Sequence, residues 1–402
     1  MLAGLRALPR TVWLIGMISL LNDSASEMLY PLLPLYLSSV LMAGPRALGL
    51  IEGVAEATAS LLKLFSGIVV DRTRRSKPWI VAGYALAGFS RPLIAFAASW
   101  PWVLVLRFSD RIGKGLRSSP RDALLASSVD PSRRGLVFGV HRAMDNAGAV
   151  VGPLVAAALL AAHVPMRQIF MWSIVPALAT LGLSLAVAEP KGAPPTAKRA
   201  PMDWNFTRLP PTLKRYLVVV ALFTLGNSSN MFLLLRAHEL GVPQGQIPLL
   251  WAGVSLVATL FSTPLSALSD RVGRFRLILA GYLAFALFYL LVGFDGHVGV
   301  GLYALFAFYG LFLAATEGVE KALVADLAAE DARGTAFGWF NFVVGLFLLP
   351  ASLVFGEIYA GVSAQAAFLF SASCVLLAAV LLVAWVRPPR PAGEVEPWEA
   401  PG

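Results

Sequence analysis

The sequence predicts an all-α membrane protein, with twelve transmembrane helices in two pseudo-symmetric six-helix bundles around a central cavity. Three observations carry this expectation. Of 402 residues, 57% are hydrophobic and only 14% charged, with mean hydropathy +0.72, whereas a soluble domain is about a quarter charged. A bilayer-spanning helix takes about 20 mostly apolar residues, and the chain offers a dozen such runs in series. Motifs of the first half also recur in the second at a constant displacement. Together these exclude a soluble enzyme and leave no room for a second folded domain.

The predicted spans cover residues 12–40, 47–70, 78–98, 101–126, 135–162, 166–188, 216–239, 247–269, 277–294, 299–326, 335–359 and 364–386. The first follows a short basic leader, Met1 to Arg10, and is too long for the apolar core of a signal peptide. When the gaps are assigned alternately inside and outside, basic residues collect on one side. That side holds Arg72, Arg74, Arg75 and Lys77, then Arg133 and Arg134, Lys198, Arg199, Lys214 and Arg215, Arg271, Arg274 and Arg276, and Arg333. The other side holds Arg46, Arg167 and Arg236. Lys and Arg stay on the cytoplasmic face, so both termini are expected in the cytoplasm, on a bacterial-type inner membrane. The same asymmetry explains the net charge of +9 without nucleic acid. The longest loop is Pro-rich and basic. It divides the chain into an N-terminal bundle (1–188), a cytoplasmic linker (189–215), a C-terminal bundle (216–386) and a cytoplasmic tail (387–402). Cys374 is the one cysteine and has no intrachain partner for a disulfide.

The halves resemble each other. Gly67-x3-Asp71-Arg72 recurs as Ser266-x3-Asp270-Arg271, Arg134-Gly135 as Arg333-Gly334 and Phe138-Gly139 as Phe337-Gly338, each displaced by 199 residues. In the first helix of each half, Ser26-Glu27-Met28 is matched with Ser229-Asn230-Met231. Such parallel repeats imply a two-fold axis along the membrane normal with a cavity on it.

An ionisable side chain at mid-membrane costs several kcal/mol, so each is a candidate site residue. At 1.5 Å per residue, Glu27 and Arg107 lie roughly 22 and 21 Å from the cytoplasmic edge, and Asp23, Asp110, Arg111 and Asp145 roughly 15 Å. Asp23 and Glu27, four residues apart, share one helix face. Asp23, Glu27 and Arg107 are therefore the expected proton-coupling residues. Expected substrate-binding residues are Asp23, Glu27, Glu56, Asp110, Arg111, His141, Asp145, Asn227 and Asn230. Glu52 lies nearer the outside and ranks below Glu56. Static ion pairs or interhelical hydrogen bonds account equally well for several of these. Lys63 and Arg117 lie near the cytoplasmic edge and are expected to snorkel. Glu320-Lys321 is the repeat partner of Arg121-Asp122 with the signs exchanged, which fits either a crossed inner gate or two solvated loop edges.

These motifs resemble those of the major facilitator superfamily, over essentially the whole chain. Its loop signature G-x3-D-R-x-G-R-[RK] is similar to Gly67 to Arg75, with Arg74 at the second Gly. The second copy, Asp270-Arg271-Val272-Gly273-Arg274, keeps that Gly. Arg107 to Gly115 is similar to the family's R-x3-G-x-G-x-G, with Arg111 at the first Gly. Gly139-x8-Gly148-x3-Gly152-Pro153-x2-Ala156-Ala157 resembles the antiporter signature G-x8-G-x3-G-P-x2-G-G. The resemblance implies that fold and the multidrug/proton antiporter branch. It also implies gating roles for Gly67, Asp71, Arg72, Gly148, Gly152, Pro153, Asp270, Arg271 and Gly273.

The sequence therefore points to a secondary transporter: a monomer in the lipid bilayer that exchanges protons for a small organic compound by alternating access, exporting it. A proton symporter or uniporter importing a metabolite or metal chelate is the alternative; a non-transporting sensor or scaffold is the alternative from another class. No cofactor or metal is expected, since no metal-spaced His/Cys cluster, nucleotide loop or nucleophile motif is visible, and G-x4-G-K-[ST] is missing.

Overall fold

The computed structural model describes residues 8–73, 76–129, 134–188, 206–294, 300–328 and 333–386. Within them the chain forms twelve spans. Span 1 is Arg10–Leu29 continued by Leu33–Ser39, span 2 Pro45–Thr73, span 3 Lys77–Leu93, span 4 Trp100–Ser127, span 5 Arg134–Ala161, and span 6 Met166–Trp172 with Ile174–Ala186. Span 7 is Pro211–Gly226 with Met231–Glu239, span 8 Ile247–Val272, span 9 Arg274–Phe294, span 10 Val300–Leu327, span 11 Arg333–Gly361 and span 12 Ala364–Trp385. The expected bounds hold to a few residues. The largest differences are the end of span 3, which stops at Leu93, and the start of span 7, where Pro211 begins the helix: its missing N–H is one the first turn leaves unpaired anyway.

Among the described residues, nine helices are long and apolar enough to cross a bilayer unaided. Spans 1, 2 and 4 are not in that set, and they carry Asp23, Glu27, Glu52, Glu56, Arg107, Asp110 and Arg111. Their charges have to be satisfied inside the protein for these helices to sit in lipid.

Two spans are broken. Pro31 and Pro34 cannot donate to the carbonyls of Glu27 and Tyr30, so span 1 loosens over Tyr30–Leu32. Span 7 unwinds over Asn227–Asn230, where the Ser229 hydroxyl accepts from the Met231 N–H at 3.3 Å in place of a helical bond. With the 199-residue displacement, this break falls on Met28–Pro31. The two breaks thus correspond, and the matching of Ser229-Asn230-Met231 with Ser26-Glu27-Met28 is corrected by four residues.

The packing obeys the repeat. In the first half, span 1 packs on 5 and 6, span 4 on 2 and 3, and span 3 on 6. In the second, span 7 packs on 11 and 12, span 10 on 8 and 9, and span 9 on 12. Adding six to each number of the first set gives the second. Across the halves, span 2 lies along 11 and span 5 along 8, again exchanged by the pseudo-two-fold. The second half is cemented by aromatic rings, with Phe223 stacked on Tyr282 at 4.2 Å between centroids and Phe285 on Tyr289 at 4.0 Å. The first half is cemented mainly by polar contacts. Leucine, valine and aromatic side chains such as Phe89, Trp102, Leu178 and Val380 cover the outer surface.

Gly148 and Gly152 bring spans 1 and 5 into close contact. A Cβ on Gly148 would sit 2.6 Å from the Leu20 carbonyl oxygen, and one on Gly152 2.5 Å from that of Ser24 and 2.8 Å from the Met28 nitrogen. The antiporter-like run of span 5 is therefore a seam against span 1, with Pro153 inside the helix. Substituting Gly152 by Ala should lower stability by about 1–3 kcal/mol, the usual cost of overpacking. Gly139→Ala, where no atom lies within 4 Å of the new Cβ, should not. Thermal unfolding of the two variants in detergent checks this, and equal melting temperatures would count against the seam.

Candidate functional site

The centre of the first half is a buried ion-pair network built from four spans. Arg107 on span 4 donates from Nη2 to Glu52 Oε1 on span 2 at 2.6 Å and from Nε to the same oxygen at 3.0 Å. Its Nη1 lies 3.5 Å from Asp110 Oδ2, one turn on. Arg91 on span 3 places Nε and Nη2 each 2.9 Å from Asp110 Oδ1. It also donates from Nη1 to the carbonyl and side-chain oxygens of Asn22 on span 1, at 2.9 and 3.0 Å. Arg111 pairs with Glu56 at 3.1 Å, with its Nε 3.9 Å from Asp110. Glu52 is 0% exposed, Asp110 1% and Arg107 5%. Removing one partner of such a pair strands a charge in a medium with no water to solvate it.

The expected site residues thus meet, though with different partners. Arg107 and Glu27 share a level, yet Glu52 is the ion-pair partner of Arg107. Glu52 ranked too low because depth counted for more than the face of the helix it lies on. Arg111, at the family's glycine position, holds Glu56. Arg117 does not snorkel: it is 4% exposed and lies over the Tyr84 ring, its guanidinium carbon 4.6 Å from the ring centroid.

Glu27 reaches the other half. Trp251 on span 8 donates from its indole nitrogen to Glu27 Oε2 at 3.0 Å, and the Trp251 ring stacks on Tyr30 at 5.3 Å. Ser229, in the break of span 7, donates to Glu52 Oε2 at 3.3 Å. Both contacts join the halves. The end of the molecule bearing the loops after spans 1 and 11 is closed as well, since Arg46 meets Glu357 at 2.9 Å and Leu33–Ser39 packs on Met231–Glu239. Of the two asparagines of the break, Asn230 accepts from Tyr309 at 2.6 Å on span 10, and Asn227 ends the first helical segment.

A second cluster joins spans 1, 4 and 5. Ser19 donates to Asp145 at 2.6 Å, lies 3.1 Å from the His141 ring and accepts from Arg121 at 3.3 Å. Asp23 accepts from Asn22 at 2.7 Å and has the Asp145 carboxyl of span 5 as its neighbour. Toward the predicted cytoplasmic end, Arg121 pairs with Asp122 at 3.1 Å and Tyr282 donates to Glu320 at 3.3 Å.

Among the predicted gating residues, Gly67, Asp71 and Arg72 fall in the last turns of span 2 and Asp270 in that of span 8, and their side chains lie outside what the structure describes. Arg271 is exposed in the last turn of span 8. Gly273 ends that span at φ +96°, a backbone angle that any Cβ strains. Arg91 and Trp251 were not anticipated. A lone arginine beside Pro92 near a helix end, and a tryptophan in an apolar run, carry no sequence signal beyond packing.

The chain matches the Major Facilitator Superfamily over residues 12–235 and again over 216–401. It belongs to that family. The MFS-type transporter MJ1317 of Methanocaldococcus jannaschii, itself uncharacterized, is 34% identical over 386 residues, covering 94% of this chain and 95% of that one. The uncharacterized protein Rv2265 of Mycobacterium tuberculosis is 28% identical, covering 95% and 94%. The multidrug resistance protein MdtH of Photorhabdus laumondii is 25% identical over 77% of each chain. Among solved structures, a mutant of the nucleoside transporter NupG superposes with a TM-score of 0.81 at 14% identity, over 94% of this chain and 100% of that one. At that identity the likeness speaks for the fold. This MFS protein is a multi-pass secondary transporter, and the family is one of transporters rather than enzymes.

The buried pair makes a direct prediction for this transporter. Glu52→Ala should cost about 3–5 kcal/mol by removing the carboxylate that holds Arg107 Nε and Nη2, leaving that arginine with its 3.5 Å contact to Asp110. The double variant Glu52→Ala/Arg107→Ala should cost less than the two single changes added together. Denaturant unfolding in mixed micelles measures the coupling, and strict additivity would contradict it.

Proposed function

We propose that this transporter is a proton-coupled antiporter that exports a small amphipathic compound by alternating access. One observation carries the reading: how the charges of the first half are distributed. The arginines at the level of the site, Arg91, Arg107 and Arg111, are each held by a carboxylate. This removes the argument that they bind an anionic substrate. Among the described residues, Asp23, Glu27 and Asp145 make no ion pair within 4 Å, and their partners are neutral donors or each other. Such acids are the groups able to take up or release protons, or to meet a cation.

The proposed cycle follows from the contacts. With the outer end closed, substrate arriving from the cytoplasm meets Glu27 beside the Tyr30–Trp251 stack. A cationic group there competes with the Trp251 indole for the carboxylate and favours loss of the helix-1 proton. Once the halves reopen outward, protons return to Asp23 or Glu27 and the substrate leaves. A neutral Glu27 accepts a weaker hydrogen bond than a charged one, so protonation loosens the Trp251 contact between the halves. The loops after spans 2 and 8 are assigned the gating role that their motifs imply, with Gly273 supplying the sharp exit from span 8. Similarity to MdtH proteins, named for multidrug resistance, favours export. We further infer a monomer with both termini in the cytoplasm, and the division at residues 189–215.

Proteoliposomes loaded with a pH dye and acidic inside test this with ethidium, a flat aromatic cation, as probe. The wild type should accumulate ethidium with matching proton efflux, and Asp23→Asn/Glu27→Gln should lose the proton flux by tenfold or more, on the order of 1.4 kcal/mol of coupling. Co-accumulation of solute and protons would replace antiport by symport. Solute movement without proton flux, unchanged in the double variant, would leave a uniporter.

A further inference from the structure

We propose that Arg91 is the positioning residue that links the Asp23 carboxyl to the contact between the two halves. This rests on the proton-coupled reading above. An unbroken run of polar contacts leads from one to the other. Asn22 Nδ2 donates to Asp23 Oδ1 at 2.7 Å, and Asn22 Oδ1 accepts from Arg91 Nη1 at 3.0 Å. The other edge of Arg91 holds Asp110 Oδ1, Asp110 Oδ2 faces Arg107, Arg107 holds Glu52, and Glu52 accepts from Ser229 in the break of span 7. The run crosses spans 1, 3, 4 and 2 and ends in the second half. Arg91 is 3% exposed, so water does not substitute for any of its partners.

The chemistry of Asn22 makes the run sensitive to a proton. With Asp23 ionised, the amide NH2 faces Asp23 and the amide oxygen faces Arg91, each donor meeting an acceptor. A proton on Asp23 Oδ1, the oxygen that faces Asn22, makes that oxygen a donor. The amide then gains by turning its oxygen toward Asp23, which sets NH2 against the Arg91 guanidinium, donor against donor. Arg91 is released from the Asn22 side chain and is free to engage both oxygens of Asp110. That competes with Arg107 for Oδ2 and resets the Arg107–Glu52–Ser229 end. A guanidinium serves here because it offers donors on two edges at once, which an ammonium does not. Asp23 itself has around it Asp145 from span 5, Lys114, Arg117 and Arg121 from span 4, and Arg91 through Asn22 from span 3, while His141 of span 5 bonds to Ser19 one turn back along span 1. Ile174–Ala186 of span 6 bears no ionisable residue, and Glu27 lies one turn on along span 1.

The test needs no substrate. In the full chain in nanodiscs, Cys374→Ser removes the one cysteine, and Met42→Cys with Val362→Cys places spin labels on the exposed loops after spans 1 and 11. Pulsed EPR distances are recorded between about pH 5 and pH 8. The parent should show two distances whose ratio changes about fivefold or more over this range. Asn22→Ala, which removes a neutral amide and leaves every charge in place, should keep both distances at a ratio nearly independent of pH. The charge-balanced Arg91→Gln/Asp110→Asn should do the same, while Arg91→Lys should blunt the response. Variants that keep the parent's response, or that are locked at one distance at every pH, overturn the inference alone. A parent indifferent to pH overturns the proton-coupled reading, and this inference with it.

Discussion

Everything in the first half of this transporter depends on one constraint: an arginine at mid-membrane must be paired within the protein. Arg107 satisfies it with Glu52, Arg111 with Glu56, and Arg91 with Asp110 and Asn22. These pairs draw spans 1 to 4 together, and they explain how the three helices too polar to cross a bilayer unaided can reside in one. The second half faces no such demand and is packed by aromatic rings. The two bundles share a backbone plan and differ in what fills them.

That difference assigns the work. A half held by directional ion pairs has few alternative arrangements, and its remaining acids stand out because their partners are neutral. The half packed by rings presents Trp251 and the unwound Asn227–Asn230 segment to those acids. Contacts between unlike halves are the ones that must break and re-form in alternating access. Two of them end on Glu27 and Glu52, carboxylates whose hydrogen bonds depend on charge. In the proposed cycle, proton exchange at the site and movement of the bundles are therefore the same event.

Much of this was legible in the residues. Apolar runs placed the twelve spans, and a displacement of 199 residues described the two-fold well enough that the structure needed only to correct the alignment in the first helix of each half. The acids and bases of spans 1, 2, 4 and 5 were identifiable because any charge in an apolar run demands an explanation. Their partners were not. Depth along a helix is a one-dimensional measure, and it set Arg107 level with Glu27 while saying nothing of which face each occupies. Arg91 and Trp251 went unseen for the same reason: their importance lies in what they touch across helices, and an arginine near a span end or a tryptophan in lipid-like sequence has an ordinary explanation. Arg117 was misjudged because the nearby Tyr84 ring gave it a reason to stay inside.

The central claim is that ion pairing leaves the helix-1 acids, Asp23 foremost with Asp145 across from it, as the proton-exchanging groups. Infrared difference spectroscopy of the purified protein between about pH 5 and pH 8 tests it most directly, since a protonated carboxyl has a C=O stretch that a carboxylate lacks. The account predicts a carboxyl band that responds to pH, shifts in Asp145→Asn and vanishes in Asp23→Asn/Glu27→Gln. A responsive band that survives intact in that double variant, or the lack of any responsive carboxyl, would contradict it.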